Sequence, residues 1–471
     1  MKYSQNPNDH NFPLLYFDPD KKVAWTLEDA CKGVSIIGQT GSGKSSASGK
    51  FFAKSFLKAR YGGLVLCAKK DEAKTWVHYA KETGREGDII LFSESNPWRF
   101  SFLNYEATRQ DRGGGNVRNI VDLLMTVYGI SQKQNGQGQR GEDQFWQGAL
   151  RRLLTRLVML LILAKEPIKI ENFYKLITSA PRDPGAFSDD SWVQSSYCVQ
   201  CLVKANELAS DEPEFALVDS FWSQEFANLD DRTRSIVVES ALSIFEPFMS
   251  GLLKEMLATE SNITPELTHS GKIIILDFPV VSYLELGTLI QSIFKFIWQQ
   301  AMERRDVDKK PTPCFLFLDE AQLFVSNKED MLFQTTARSS KCCTIFLTQT
   351  INNYYSVMSG TRYKEQTSAL LACLATKIVH CSNDSETCKF AADTIGSNFR
   401  LVSNFNSSMG LKGASAGAGE QLVHQVLPIE FQSLRTGGTL NTNKVDAILT
   451  IAGRPLLGGK NYMKVTFDQR A

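Results

Sequence analysis

Apolar residues gather along this chain in short continuous runs rather than in strict alternation. Val34-Ser35-Ile36-Ile37, Gly62-Gly63-Leu64-Val65-Leu66-Cys67 and Asp88-Ile89-Ile90-Leu91-Phe92 come first; residues 272–278, 314–318 and 344–347 come later. Runs of this length and composition fit strands buried on both faces. Segments of helical spacing separate them: residues 46–58, with Phe51, Phe52, Phe56 and Leu57 on one side, residues 71–83, and the long stretch 284–304. Strands alternating with helices predict an α/β fold built on a mostly parallel sheet.

The pattern changes after about Tyr105. Residues 119–128, 145–164 and 235–257 carry apolar positions at i, i+3 and i+4, which predicts helices. A polar stretch rich in Gln and Gly, 131–141, reads as a loop, and so does the Gly/Ala/Ser-rich stretch 407–420. The expected organisation is an all-α insert, 106–268, inside an α/β domain made of 1–105 and 269–471.

Composition narrows the function little. Apolar residues make up 43% of 471, enough for a large core, and the net charge is +1. No global field draws the chain to DNA or acidic lipid, so any such contact must be local. Ten cysteines follow no disulfide framework, and Cys198-x-x-Cys201 lacks a second pair to complete a zinc site. They read as reduced thiols of a cytosolic protein. The opening residues are polar, and the most apolar stretch, 153–164, is short and contains Arg156. It predicts a buried helix rather than a membrane span.

Candidate chemistry begins at Gly38-Gln39-Thr40-Gly41-Ser42-Gly43-Lys44-Ser45, a complete G-x-x-x-x-G-K-[ST] phosphate loop between a predicted strand and a predicted helix. Glycines let the backbone curl so that its N–H groups ring the phosphates. Lys44 would reach the β- and γ-phosphates and Ser45 would ligate Mg²⁺, with Gly38 through Ser46 as the nucleotide-binding set and ATP and Mg²⁺ as cofactors.

Phe315-Leu316-Phe317-Leu318-Asp319-Glu320 supplies the acids. They fall at the C-terminal end of a buried strand, where open α/β sheets bind ligands. Asp319 would hold the metal, and Glu320 would orient and deprotonate the attacking water. Gln349, ending the next strand, could sense the γ-phosphate or lytic water, or be a polar strand end without a role. Arg338 could reach a neighbouring subunit's γ-phosphate, or make a surface salt bridge. The basic face Lys50/Lys54/Lys58/Arg60, with Lys69 and Lys70, could meet nucleic-acid phosphates or simply face solvent. Tyr354-Tyr355 and Arg362-Tyr363-Lys364 could stack on bases, or pack internally.

At these residues the chain resembles the conjugative coupling-protein branch of the FtsK/HerA-type motor ATPases, the TraD/TraG-like DNA pumps of type IV secretion. Gly38 to Ser45 matches the Walker A loop and Asp319-Glu320 the Walker B acids. Arg338 and Gln349, nineteen and thirty residues after Asp319, fall where the family has its trans arginine and sensor glutamine. Phe145-Trp146 resembles the insert's Phe-Trp signature. Asn96-Pro97 with Ser101-Phe102-Leu103-Asn104 resembles the lead into the insert, and Ile395-Gly396 and Leu427-Pro428 fit weaker positions. Lys69-Lys70-Asp71-Glu72 only loosely resembles the family's Asp-Pro-Lys-Gly-Glu stretch, because Pro and Gly are missing.

The resemblance implies a RecA-like P-loop core and a ring, usually a hexamer, that hydrolyses ATP and moves DNA, single- or double-stranded, without sequence preference. It implies relaxase or secretion-channel partners. The family's transmembrane anchor is not recognisable here, which implies a cytoplasmic protein, peripheral at the inner membrane through a partner. A protein-secretion motor and a HerA-like DNA-processing or defence ATPase remain alternatives.

Overall fold

The structure, a computed structural model of the chain, describes residues 3–134, 143–358, 360–407 and 414–470. Two short strands, β1 (Pro13–Tyr16) and β2 (Ala24–Thr26), form an antiparallel ribbon before the first helix. The strands that follow are β3 (Val34–Ile37), β4 (Gly62–Leu66), β5 (Ile89–Phe92), β6 (Ile273–Leu276), β7 (Cys314–Leu318), β8 (Cys342–Thr348) and β9 (Thr376–Val379). A separate antiparallel hairpin joins β10 (Ser397–Ser407) to β11 (Ala414–His424). Last come β12 (Lys444–Ile451) and β13 (Tyr462–Asp468).

The main sheet has nine strands in the order β13-β12-β9-β3-β8-β7-β4-β6-β5. From β9 to β5 every neighbouring pair is parallel, whereas β12 and β13 run antiparallel at one edge. The sheet is thus α/β and mostly parallel, as expected from the apolar runs.

Those runs are continuous because both faces are covered. Along β7, Cys314, Leu316 and Leu318 point into one core and Phe315 and Phe317 into the other. Helix Lys50–Lys58 packs Phe52 and Phe56 on the second face, where Phe56 and Trp76 both stack on Phe315, with ring centroids 5.0 and 5.6 Å away. Each buried phenylalanine there contributes roughly 2 to 3 kcal/mol. Gly63 on β4 leaves room for that stack, since a Cβ there would lie 2.3 Å from the Phe315 ring.

Helix Val280–Arg304 covers the first face through Ile290, Ile293, Phe294, Ile297 and Trp298. Among the described residues it is the one single helix with the length and composition to cross a membrane. It lies in the core here, and its Lys295 is buried in an ion pair with Asp330 at 2.6 Å.

Among the described residues, those between β5 and β6 form helices and turns with no strand. The chain leading into this region and the chain leaving it are clamped together: Phe100 N–H donates to the Met256 carbonyl at 2.9 Å, and Asn262 N–H to the Arg99 carbonyl at 3.0 Å. The apolar interior of these helices, including Leu154, Phe173 and Trp222, is continuous with the core on the Val280–Arg304 side. Cys198 and Cys201 are buried there in helix Tyr197–Ala209, and burial pushes both thiols up.

Three local expectations are corrected. Residues 235–257 are not one helix. Asp231–Phe245 ends at the turn Glu246–Phe248, and Gly251–Leu257 starts a new direction, bent by 78°. Pro247 cannot donate to the preceding turn, and Gly251 has φ +63°. Of the expected loop 407–420, Ser407 and 414–420 are strand, because β11 pairs with β10 residue for residue from Ala414 to His424; 408–413 lie outside the described residues. A backbone ladder is set by its partner strand, which small residues do not announce. The stretch 131–141 begins as helix, since Val117–Gln134 runs through its first four residues; the rest lies outside the described residues.

Candidate nucleotide-binding and hydrolysis site

β3, β8, β7 and β4 are consecutive in the sheet and parallel, so their C-terminal ends share one edge. β3 delivers the loop at Gly38, β8 delivers Gln349, β7 delivers Asp319 and Glu320, and β4 delivers Lys69. The strand carrying Gln349 lies between the loop strand and the acid strand, which places its side chain between the two halves of the site.

The loop curls as its glycines require. Gly41 and Gly43 have φ of +76° and +86°. At Gly43 the space is closed as well: a Cβ would lie 2.6 Å from Val445 Cγ2. At Gly41 it would meet nothing within 4 Å, so that side of the loop is open. The loop is anchored by Gly38 N–H to the Thr348 carbonyl, 3.2 Å, and Gln39 N–H to the Cys381 carbonyl, 3.0 Å. Gln39 Oε1 also accepts from Asn383 N–H at 3.0 Å.

The acids meet the loop directly. Ser45 Oγ donates to Asp319 Oδ2 at 2.8 Å. Glu320 Oε1 accepts from Gln349 Nε2 at 3.0 Å and lies 4.0 Å from Lys44 Nζ, while its Oε2 accepts from Gln322 Nε2 at 3.1 Å. Gln349 Oε1 accepts from Thr40 Oγ1 at 2.9 Å, and Gln322 Oε1 accepts from Thr348 Oγ1 at 2.9 Å. Glu320 holds φ +53°, ψ +50°, a left-handed conformation a glutamate rarely adopts. Such strain collects at functional sites because the surroundings enforce it.

Charge in the site is balanced by two lysines. Burial alone would push the Asp319 carboxyl up, but Lys69, 3.0 Å away, together with the Ser45 hydrogen bond and the Lys44 charge, outweighs it and holds Asp319 below the usual carboxylate range. Burial also opposes charge on Glu320. Hydrogen bonds from Gln349 and Gln322, with Lys69 at 3.0 Å, keep it ionised. Burial lowers the Lys44 ammonium. Glu72, half-buried and close to Asp319, is pushed up to about 8 by burial first and by Asp319 second.

These residues fit a magnesium nucleotide. The loop is open on the Gly41 side, and Ser42 Oγ is buried inside it without a partner. Ser45 and Asp319 are hard oxygen donors already in contact, which suits Mg²⁺. Ionised Glu320, held by two amides, can orient a water and accept its proton, and Gln349 spans from it to the loop.

Ser46 stands differently. Its hydroxyl accepts from Gln469 Nε2 at 2.7 Å, and Lys50 Nζ donates to the Gln469 carbonyl at 3.0 Å, so the end of β13 braces the loop helix. Arg338 is not brought to its own chain's loop. It precedes β8, at the sheet edge opposite Gln349, roughly 20 Å away at the rise of a strand. There it pairs with Glu28 Oε1 at 3.2 Å.

Sequence reasoning missed Gln322, His380 and the part played by Lys69 in the site. His380 Nε2 lies 2.7 Å from Ser48 Oγ, just past the loop. For Lys69 the available signal was the loose resemblance of Lys69-Lys70-Asp71-Glu72 to the family's strand-end stretch. The stacking candidates are occupied: Tyr354 is buried, and Tyr355 packs edge-on against Tyr363 with Lys364 over its ring.

Fold and site together define a P-loop NTPase with a helical insertion between β5 and β6. The chain belongs to the family described as type IV secretory system conjugative DNA transfer, which matches residues 11–430. Among solved structures it is similar to the unbound bacterial conjugative coupling protein TrwBdeltaN70 (TM-score 0.61, 13% identity, 95% of this chain and 87% of that one). It is similar also to plasmid coupling protein TrwB in complex with ADP and Mg²⁺ (0.60, 13%, 95% and 88%) and with the GTP analogue GDPNP (0.59, 14%, 96% and 90%). No curated protein matches it.

Proposed function

We propose that the chain is a Mg²⁺-dependent ATP hydrolase that works as a ring and drives DNA in conjugative transfer. The observation that carries this reading is the meeting of Ser45, Asp319, Glu320 and Gln349 at the open side of the phosphate loop. Lys44 and the loop N–H groups would bind the phosphates, and Ser45 and Asp319 would hold magnesium, which would neutralise charge on the phosphates. Glu320 orients water in line with the γ-phosphorus and takes its proton. Gln349 links that carboxylate to Thr40 and so relays occupancy of the γ-phosphate position to the loop. The TrwB structures with ADP and Mg²⁺ and with a non-hydrolysable ATP analogue support the choice of cofactors.

Ring assembly accounts for Arg338. Its distance from its own loop and its 62% exposure support a role for the guanidinium at the loop of a neighbouring subunit. The helical region, 106–268, would engage DNA-processing partners such as a relaxase or the secretion channel, and membrane docking would come through such a partner. ATP hydrolysis measured with and without single- and double-stranded DNA tests the reading. Stimulation by DNA that disappears in Glu320→Gln is the expected result. Turnover indifferent to both DNA forms overturns the DNA assignment and leaves the hydrolase standing.

A further inference from the structure

Lys69 lies just past the end of β4, on a loop that is not free to wander. Ala68 N–H and Lys69 N–H both donate to Glu72 Oε2, at 2.7 and 3.2 Å, and Glu72 opens helix Glu72–Glu82. From this fixed base the ammonium reaches 3.0 Å from Asp319 Oδ2, 3.0 Å from Glu320 Oε1 and 3.8 Å from Glu72 Oε1. The same Asp319 oxygen accepts from Ser45. Lys69 therefore sits on the side of the acid pair where a cation shared by Ser45 and Asp319 would sit.

Two ionised carboxylates, Asp319 and Glu320, in a site this dry repel one another unless a cation stands between them. Asp319 is 6% exposed and Glu320 5%. Lys44 alone does not fill the role, since its ammonium is 4.0 Å from Glu320. Lysine suits a temporary counter-ion: a point charge on a flexible stem, able to leave without breaking bidentate geometry.

We propose that Lys69 is a positioning residue, the resident counter-cation of the Asp319–Glu320 pair, which yields Asp319 to magnesium when the nucleotide arrives. The inference rests on the magnesium-nucleotide reading of the site. Without nucleotide, Lys69 keeps both carboxylates turned toward the loop. Repulsion between the ammonium and an arriving divalent ion moves the side chain, already 46% exposed, toward solvent. Magnesium must then displace a bound charge, so the site closes around a magnesium nucleotide and resists the bare cation.

The test is calorimetric binding of a non-hydrolysable ATP analogue at stepped Mg²⁺ concentrations, with thermal unfolding of the same proteins, nucleotide-free and saturated. Lys69→Met is expected to lower the Mg²⁺ midpoint for nucleotide binding by about tenfold, the scale of one charge removed at a few ångströms. It is also expected to lower the Tm of the nucleotide-free protein, with the difference vanishing at saturation. Lys69→Arg should keep the wild-type stability, and Lys70→Met, its exposed neighbour, should move neither reading. A midpoint unchanged or raised in Lys69→Met overturns the proposal. So does a Tm loss that persists at saturating magnesium nucleotide, which marks Lys69 as structural only. Wild-type protein that binds no analogue at any Mg²⁺ concentration instead overturns the nucleotide reading beneath it.

Discussion

Gln349 donates its side-chain amide to Glu320 over 3.0 Å while accepting from Thr40 at 2.9 Å, so one side chain ties the water-orienting acid to the phosphate loop. Glu320 is held in a left-handed conformation beside it, and the bond from Gln349 lowers its proton affinity.

Removing that tie should damage turnover more than binding. Gln349→Ala is expected to lower kcat about a hundred- to a thousandfold, the range for losing one preorganised polar group. Nucleotide affinity should change little, because Lys44 and the loop backbone are untouched. Separate measurement of kcat and of analogue Kd decides it; an equal loss in both sinks the relay.

The loop itself should tolerate almost nothing at Gly43 and more at Gly41. Both have positive φ, yet only at Gly43 does a Cβ run into Val445, at 2.6 Å. Gly41→Ala carries the backbone strain alone, roughly 1 kcal/mol or somewhat more. Gly43→Ala adds the clash, and its cost should be roughly 2 to 4 kcal/mol with loss of nucleotide binding. Denaturant unfolding of the two variants side by side checks the order; equal costs would show that the β12 contact does not matter.

Acid should weaken the fold through His380. Its ring is fully buried, with Nε2 2.7 Å from Ser48 Oγ. Burial drops its pKa from 6.5 to about 4. A folded value below the unfolded one means the unfolded chain binds the extra proton first. Stability is therefore whole above pH 6.5 and falls as pH drops toward 4, by up to about 3 kcal/mol. His380→Asn should be less stable at neutral pH but show a flatter acid limb. Unfolding from pH 4 to 7 measures both, and an unchanged slope counts against His380 as the group responsible.

What could be read from sequence follows from how far apart the cooperating residues lie. Gly38 to Ser45 is local: its glycines answer backbone demands made within eight residues. β4, β6, β7 and β8 were legible because strands buried on both faces must be apolar throughout. β12 was not, because Lys444 and Asp446 break its apolar pattern and its place in the sheet is fixed by pairing with β9 and β13. The Gln469–Ser46 and Ser48–His380 contacts join residues hundreds of positions apart. Lys69 looked like any exposed base after a strand, and only the adjacency of β4 and β7 shows what it faces.

Arg338 offers the sharpest check on assembly. If it completes a neighbour's site, Arg338→Ala and Lys44→Ala are each inactive alone but complement one another when mixed. In a ring with head-to-tail interfaces, the Arg338→Ala subunit still contributes an intact loop and the Lys44→Ala subunit an intact arginine. Random mixing at equal amounts gives half the subunits a working loop, and half of those a neighbour with its arginine. About one quarter of wild-type ATPase activity is then expected from two inactive proteins, with heterologous contacts as the basis. The assay needs subunits allowed to exchange before ATP is added, and a Lys44→Ala/Arg338→Ala double variant as the partner that should not rescue. Activity that stays at the level of the separate variants would place Arg338 outside the shared site and return it to its ion pair with Glu28.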